Sequence, residues 1–386
     1  MDYRMQEKLE WGRLATPQPD LRMPVYNWFH YREGFSRELV MRLLRELSPG
    51  RKGWVLDPFC GVGTTMLACL ESGVSSVGFD VNPVSVFASR VKLQDYDRDN
   101  LRKALARVTR ESFFRAGRGM ENPLVNKFFP PKLLEQVLFY RELVLGIGDR
   151  AARDFLMLAL MNAAVRSSYL SKDGAVLKVR KRPVPPLRRV LKREAGRMLR
   201  DLGSFRRSGA KAVAEFGDAR AVRLEDGSVD AVITSPPYLN KTEYAGIYGV
   251  EEELFLKAVD AVPGAGAFIG LGPDRMERDS GMLIRALDGE TVNGLPREAL
   301  PYFMDMAQAV REMWRVCRPG ARVGLVVGNG CFPDGVVESD VLLSRIAGEA
   351  GFRVERIVVL NKRWCTRRRT IKVGIARESL LLWRKD

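Results

Sequence analysis

The stretch WVLDPFCGVGTTMLACLESG, residues 54–73, gives the strongest indication of the fold class. Its apolar start, WVLDPF at 54–59, predicts a buried strand, and TTMLACLESG predicts a helix that is closed by Gly73. Between them, Gly61 and Gly63 let the backbone approach a ligand closely, and the start of the helix offers unpaired N–H groups to an anion. A strand, a glycine loop and a helix in this order open a doubly wound α/β sheet.

A second strand follows and ends in an acid. The residues SSVGFDVNP at 75–83 predict a strand that ends at Asp80, and PVSVFASRVKL predicts a helix with Pro83 in its first turn. Ligands of open α/β sheets bind at the carboxyl ends of the strands, where Asp57 and Asp80 stand. A carboxylate at Asp80 can accept both hydroxyls of a ribose, and the structural alternative is that Asp80 caps the helix.

A second motif, TSPPYLN at 234–240, directly follows the buried strand VDAVI. An amino group on a nucleic-acid base is a poor nucleophile because its lone pair is delocalised into the ring. The Ser235 hydroxyl and the Pro236 carbonyl can accept hydrogen bonds from it and direct the nitrogen towards a methyl donor. Pro237 stiffens the loop, and Tyr238 can stack on a base taken out of its helix. The structural alternative is a proline-terminated strand with a packing tyrosine.

The pair DPFxGxGTT and SPPY resembles the S-adenosylmethionine-dependent amino-methyltransferases, which modify cytosine N4, adenine N6 and, in some RNA enzymes, guanine N2. The resemblance covers roughly 24–95 and 213–386 and extends to stand-alone archaeal members of the family. It implies a Rossmann-like class I methyltransferase fold of the α/β class, with a mostly parallel sheet, an antiparallel terminal strand and a helical insertion. It also implies S-adenosyl-L-methionine as the cofactor.

The resemblance assigns roles to individual residues. It places the cofactor's methionine portion at the glycine loop and the segment 24–36, its ribose at Asp80 and its adenine at Asp218. The expected cofactor-binding residues are Tyr26, Phe35, Ser36, Asp57, Phe59, Gly61, Gly63, Thr64, Asp80, Asn82 and Asp218. The expected catalytic residues are Ser235, Pro236, Pro237 and Tyr238. Serine before Pro-Pro-Tyr is the form typical of cytosine-N4 enzymes, and the motif lacks the nucleophilic cysteine that cytosine-C5 enzymes need.

The chain divides into three regions. Residues 1–96 are expected to hold a polar N-terminal arm (1–22) and the cofactor-binding half of the methyltransferase domain. Residues 97–212 carry helical patterns with little strand signal, and we expect a helical insertion that recognises the substrate. Residues 213–386 return to alternating strands and helices and are expected to form the catalytic half.

The charge of the chain favours a polyanionic partner. Lysine and arginine number 63 against 47 acidic residues, a net charge of +16, and basic side chains that neutralise phosphates release condensed counterions. The basic residues cluster in two places, although each cluster could be only a solvated surface. The expected nucleic-acid contacts are Lys178, Arg180, Lys181, Arg182, Arg188 and Arg189 in the insertion and Arg363, Arg367, Arg368 and Arg369 near the C-terminus.

The charge does not choose the nucleic acid. A restriction-type DNA enzyme usually carries a loop-rich recognition region, whereas this insertion is helical, so the sequence favours cytosine N4 in structured (ribosomal) RNA. Site-specific DNA methylation at cytosine N4 or adenine N6 is the alternative. A catalytically silent nucleic-acid-binding module and a nicotinamide-dependent oxidoreductase are the alternatives from other classes, and the second gives no reason for SPPY.

Composition excludes several other classes. The cysteines form no Cys-x-x-Cys pair and His30 is the only histidine, so neither a metal site nor Ser-His-Asp catalysis is expected. With 46% hydrophobic residues the chain can bury a full core without disulfides. It has no apolar run that could span a bilayer and no signal peptide, so we expect a cytoplasmic protein with no membrane partner. The oligomeric state stays open, with a monomer favoured.

Overall fold

The structure is a computed structural model. It describes residues 3–50, 52–113, 120, 122–173, 176–240, 246–257, 268–270, 280–367 and 370–386. Among these residues, no helix is both long enough and apolar enough to cross a membrane.

The described residues form one large sheet and two small hairpins. In chain order the strands are β1 (Met5–Glu7), β2 (Trp54–Asp57), β3 (Ser75–Asp80), β4 (Leu170–Asp173), β5 (Val176–Val179), β6 (Ala212–Phe216), β7 (Val229–Thr234), β8 (Cys317–Gly328), β9 (Gly330–Phe332), β10 (Gly335–Val337), β11 (Phe352–Arg367) and β12 (Ile371–Lys385).

The strand order in the large sheet is β1-β11-β12-β8-β7-β2-β3-β6. Strands β6, β3, β2, β7 and β8 run parallel to one another, while β12 is antiparallel to both β8 and β11. The predicted sheet, mostly parallel with an antiparallel strand near its C-terminal end, is confirmed. The two small sheets are the antiparallel hairpins β4–β5 and β9–β10.

The helices lie mainly on the two faces of the sheet and in the region 97–212. They are α1 (Arg37–Leu47), α2 (Thr64–Ser72), α3 (Pro83–Leu93), α4 (Arg98–Arg110), α5 (Pro123–Phe128), α6 (Pro131–Leu145), α7 (Arg150–Arg166), α8 (Leu187–Ser204), α9 (Gly249–Glu251), α10 (Ser280–Leu287), α11 (Gly289–Gly294), α12 (Leu300–Val316) and α13 (Ser339–Glu349). Short 3-10 turns at Leu9–Ala15, Gln18–Asp20, Tyr26–Trp28 and Arg297–Ala299 and a π-turn at Glu252–Leu256 complete the described elements.

Helices cover both faces because successive residues of a strand point to opposite sides. In β2, Val55 belongs to the apolar layer that contains Leu39 and Leu43 of α1. Its neighbour Leu56 belongs to the opposite layer, which contains Val310 of α12. All of these side chains are fully buried, so the central strands are apolar on both faces, as WVL and VDAVI predict.

The N-terminal region differs from the prediction of a polar arm. Strand β1 pairs in parallel with β11, from Met5 opposite Ile357 to Glu7 opposite Val359. The 3-10 turn that follows packs on β11 and buries Ala15. The side chains of β1 are all exposed, and Glu7 also pairs with Lys362 of β11. The strand therefore has no buried face and leaves no apolar alternation in the sequence.

Residues 97–212 are mainly helical, as predicted, but they also contain the β4–β5 hairpin, which the sequence analysis missed. Helix α7 is the centre of this region, since it packs against α4, α6 and α8 and also against α3. Its residues Phe155 to Met161 are at most 1% exposed. The hairpin is short, and its strand sequences LSKD and VLKV show no apolar alternation that would predict a strand.

Candidate active site

The glycine loop connects β2 to α2. Gly61 and Gly63 have φ angles of 48° and 88°, a region that favours glycine. A Cβ on Gly63 would lie 3.0 Å from Ser89 Oγ, and the Ser89 hydroxyl donates a 2.8 Å hydrogen bond to the Gly61 carbonyl. The loop is therefore fixed against α3.

Asp57 joins the two sequence motifs. Its carboxylate accepts hydrogen bonds from Thr65 Oγ1 and Thr234 Oγ1, each at 2.6 Å, and from the Phe59 N–H at 3.2 Å. Burial raises the pKa of Asp57 to about 6, against the lowering effect of these hydrogen bonds. Because Thr65 lies in α2 and Thr234 precedes Ser235, this one buried side chain fixes the position of the glycine loop relative to the SPPY loop.

Asp80 faces the glycine loop from the end of β3. It accepts hydrogen bonds from the backbone N–H groups of Gly61 and Asn82, both at 2.8 Å, and burial raises its pKa to about 6. Helix α3 is capped by the side chain of Asn82, which accepts from the N–H groups of Val84 and Ser85. The N-terminal cap of α3 is therefore Asn82 and not Asp80, which was the structural alternative for Asp80.

One cavity brings both motifs together. All four predicted catalytic residues, Ser235 to Tyr238, line it. Of the predicted cofactor-binding residues, its wall contains Phe35, Asp57, Phe59, Gly61, Thr64, Asp80, Asn82 and Asp218. Residues that are distant in sequence meet here because the carboxyl ends of parallel strands lie at the same edge of the sheet.

Three predicted cofactor-binding residues do not line this cavity. Tyr26 is buried and donates a 2.6 Å hydrogen bond to Glu71. The Ser36 hydroxyl accepts from the Leu39 N–H and caps α1. Gly63 is the residue that precedes α2. In this structure all three lie outside the cavity wall.

Asp218 is held by an arginine. The guanidinium of Arg220, which is 4% exposed, donates hydrogen bonds to both oxygens of Asp218 and also to Asp305. Although Asp218 is paired in this way, it lines the cavity and is only partly buried. Arg220 therefore sets the orientation of the acid that is expected to contact the adenine.

The SPPY loop is packed against β8 and β12. The Tyr238 hydroxyl donates a 2.7 Å hydrogen bond to Glu378 of β12. A Cβ at Gly328 would lie 2.7 Å from the Tyr238 ring, so only glycine leaves room for the ring on that side. After the loop, the Asn240 side chain donates to the carbonyl of Cys331 at 3.0 Å.

Sequence reasoning missed other residues of the cavity wall. Tyr31, Arg32 and Glu33 lie within the segment 24–36 that was expected to complete the methionine pocket, and all three line the cavity. The Tyr31 ring stacks on Tyr248 with ring centroids 5.7 Å apart. Glu378 also lines the cavity, but its strand ESLLLWRK reads only as part of a terminal strand pair and gives no signal for a site residue.

The predicted nucleic-acid contacts differ in whether their charges are paired with neighbouring groups. In the insertion, Arg180, Lys181, Arg182 and Arg189 are exposed, whereas Lys178 pairs with Asp173 and Arg188 donates to the carbonyls of Thr109 and Arg110. Near the C-terminus, Arg363 is exposed and Arg367 lies 4.0 Å from Asp334. Arg368 and Arg369 lie outside the described residues.

The known proteins that this chain resembles are methyltransferases. A family model described as "DNA methylase" matches residues 13–88, which include the whole glycine loop. The Type II methyltransferase M.BsoBI of Geobacillus stearothermophilus is 24% identical over 447 aligned positions, covering 97% of this chain and 88% of that protein. M.AvaI of Nostoc sp. is 25% identical over 427 positions, covering 92% and 85%.

A third relative matches a shorter region. The Type II methyltransferase M.MjaII of Methanocaldococcus jannaschii is 34% identical over 101 residues, covering 25% of this chain and 19% of that protein. The sheet topology, the glycine loop and the SPPY loop on one cavity agree with these matches. These matches support the amino-methyltransferase superfamily for this chain, which is a methyltransferase that uses S-adenosylmethionine.

Proposed function

We propose that this enzyme methylates the exocyclic amino group of cytosine, N4, at specific sites in DNA. The observation that carries the proposal is that Ser235 to Tyr238 and the glycine loop line one cavity. The SPPY loop, which can bind an amino group, therefore faces the same cavity as the glycine loop. Asp57 fixes the position of the glycine loop relative to the SPPY loop.

The cavity suits S-adenosylmethionine in the chemistry of its walls. The side-chain-free backbone at Gly61 and the start of α2 accommodate the methionine portion next to Tyr31 to Phe35. Asp80, at the end of β3, would accept the ribose hydroxyls, and Asp218, oriented by Arg220, would accept from the adenine amino group. The bound cofactor supplies an electrophilic methyl group on its sulfonium.

The residues of the SPPY loop would act on the target base. Ser235 Oγ and the Pro236 carbonyl would accept hydrogen bonds from the amino group and direct its lone pair towards the methyl group, while Tyr238 would stack on the ring of the base. After the nitrogen takes the methyl group, its extra proton leaves to water. The protein thus contributes mainly proximity and orientation, and the mechanism requires no general base.

The relatives favour DNA over the structured RNA that the sequence alone favours. The matching family is described as DNA methylase. The Type II methyltransferases M.BsoBI and M.AvaI align over 97% and 92% of the chain, so the alignments take in the region 97–212. The sequence favours RNA only because this region is helical rather than loop-rich, and sharing the region with such relatives removes that reason.

Cytosine is proposed over adenine because Ser235 precedes Pro-Pro-Tyr. The exposed cations of the insertion, Arg180, Lys181, Arg182 and Arg189, would contact DNA phosphates. Adenine N6 is the second candidate, since the same loop can hold either amino group.

The test is methyl transfer from methyl-labelled S-adenosylmethionine to genomic duplex DNA and cellular RNA in parallel. Digestion and mass spectrometry should find the label in N4-methylcytosine from DNA, and Tyr238→Ala should abolish it. Label in N6-methyladenine would show that the target base is adenine and not cytosine. Label in RNA alone would contradict the proposed polymer, and cofactor binding without any transfer would favour the silent binding module.

A further inference from the structure

The β11–β12 hairpin extends past the rest of the large sheet. Its strands pair from Phe352 opposite Lys385 to Arg367 opposite Ile371, whereas β12 pairs with β8 no further than Glu378 opposite Gly328. We call residues 361–367 and 370–377 the arm. The disulfide between Cys331 and Cys365 ties the arm to β9, so its position is fixed relative to the catalytic loop.

The arm adjoins the target half of the active site. Asn361 and Arg363 line a small cavity together with Gly328, Tyr238 and Glu378. Tyr238 and Glu378 also belong to the main cavity, so the two cavities share a wall formed by this hydrogen-bonded pair. Within the described part of the chain, Arg363 forms no ion pair, and its charge remains available in this cavity.

The surface of the arm combines apolar and cationic side chains. Trp364 and Ile371 are both 54% exposed and Ile375 is 46% exposed. Trp364 lies opposite Ile375 on the neighbouring strand, and Lys372 Nζ lies 4.5 Å from the centre of the Trp364 ring. An exposed aromatic side chain set among cations is the combination that binds nucleic-acid bases and phosphates.

We propose that the arm lies along the DNA beside the target base, with Arg363 bound to a phosphate of the target strand and Trp364 packed on a neighbouring nucleotide. A two-stranded β-ribbon is narrow enough to enter the major groove of DNA. This inference rests on the proposed function, because it names the surface by which the same site holds its substrate. It follows from the continuity of the arm with the Tyr238 wall and from the positive charges of Arg363 and Lys372.

The first test measures how the affinity for a fluorescent random-sequence duplex depends on salt. Each phosphate contact contributes roughly 0.9 to the slope of log K against log salt concentration, so Arg363→Gln should lower the slope by about 0.9. Arg363→Lys should keep it. The matched control is Arg384→Gln, because Arg384 is a partly exposed arginine at the opposite end of β12 that pairs with Asp386. The slope of this variant should equal that of the wild type.

The second test separates the apolar contact from the charge. Trp364→Ala should weaken duplex binding by about tenfold, as expected for one stacked base, with the salt slope unchanged. All variants should bind S-adenosylmethionine like the wild type, which shows that they are folded. The proposed role of the arm, but not the proposed function, would be overturned by one combination of results. The wild type would methylate DNA, Arg363→Gln would keep the salt slope, and Trp364→Ala would keep full affinity for the duplex. A wild type that neither binds nor methylates duplex DNA would overturn the proposed function as well.

Discussion

At the scale of single residues, two aspartates at the ends of β2 and β3 have different surroundings and different tasks. Asp57 has both carboxylate oxygens bonded to threonine hydroxyls and serves as a brace between α2 and β7. Asp80 accepts hydrogen bonds from the backbone N–H groups of Gly61 and Asn82, and it lines the cavity. Sequence position alone could not separate these roles, since both acids end a buried strand.

The elevated pKa of Asp80 predicts how cofactor binding depends on pH. Burial raises this pKa from 3.8 to about 6, so in the folded protein the carboxylate takes up its proton as the pH falls through about 6. An acceptor for the ribose is then lost, and the affinity for S-adenosylmethionine should fall between pH 7 and pH 5. Calorimetric titration at several pH values measures this. Asp80→Asn should bind more weakly at pH 7 and vary less with pH; an identical pH profile in both proteins would contradict the assignment.

Glu378 is predicted to position Tyr238. Removing its 2.7 Å hydrogen bond from the Tyr238 hydroxyl in Glu378→Ala should free the ring and lower kcat on DNA by about tenfold. Glu378→Gln keeps an acceptor and should retain most of the activity. The affinity for S-adenosylmethionine should stay the same in both. Steady-state kinetics on Tyr238→Phe, Glu378→Ala and the double variant test the coupling, since independent, additive losses would rule it out.

At the scale of elements, the sequence predicts what is encoded locally. Ser36 caps α1, Gly73 ends α2 in a left-handed conformation, and Asn82-Pro83 opens α3. Strands β1, β4 and β5 escaped prediction because their side chains are mostly exposed or polar. Strand β1 pairs with the distant β11, whereas β4 pairs with its neighbour β5 in a short hairpin. The cysteine pair was equally invisible, because spacing along the chain does not show which strands meet.

The disulfide between Cys331 and Cys365 should stabilise the chain. It joins residues 34 positions apart, and a loop of that length is worth about 4 kcal/mol in free energy of unfolding. Cys331→Ser and Cys365→Ser should each lose this amount in denaturant titrations, and the double variant should lose little more. Thiol titration of the denatured, unreduced chain should find three groups, from the buried Cys60, Cys69 and Cys317. Finding five would show that the bridge does not form.

At the scale of the whole molecule, the sheet order turns distances along the chain into neighbours in space. Strands β3, β2 and β7 lie side by side, so Asp80, Asp57 and Ser235 meet at one edge although the region 97–212 separates them in sequence. The glycine loop and SPPY could be predicted to share a site because both follow buried parallel strands. Glu378 could not, because its place depends on β12 lying beside β8 in antiparallel register.

In the proposed function, the cavity has a cofactor half at Asp80 and a target half at Tyr238. The direct measurement compares Asp80→Ala with Tyr238→Ala, using calorimetry for S-adenosylmethionine affinity and single-turnover methyl transfer to DNA at saturating cofactor. Asp80→Ala should bind the cofactor more weakly and recover much of its transfer rate at saturation. Tyr238→Ala should bind the cofactor normally and lose transfer. Equal loss of cofactor affinity in the two variants would contradict the division of the cavity into two halves.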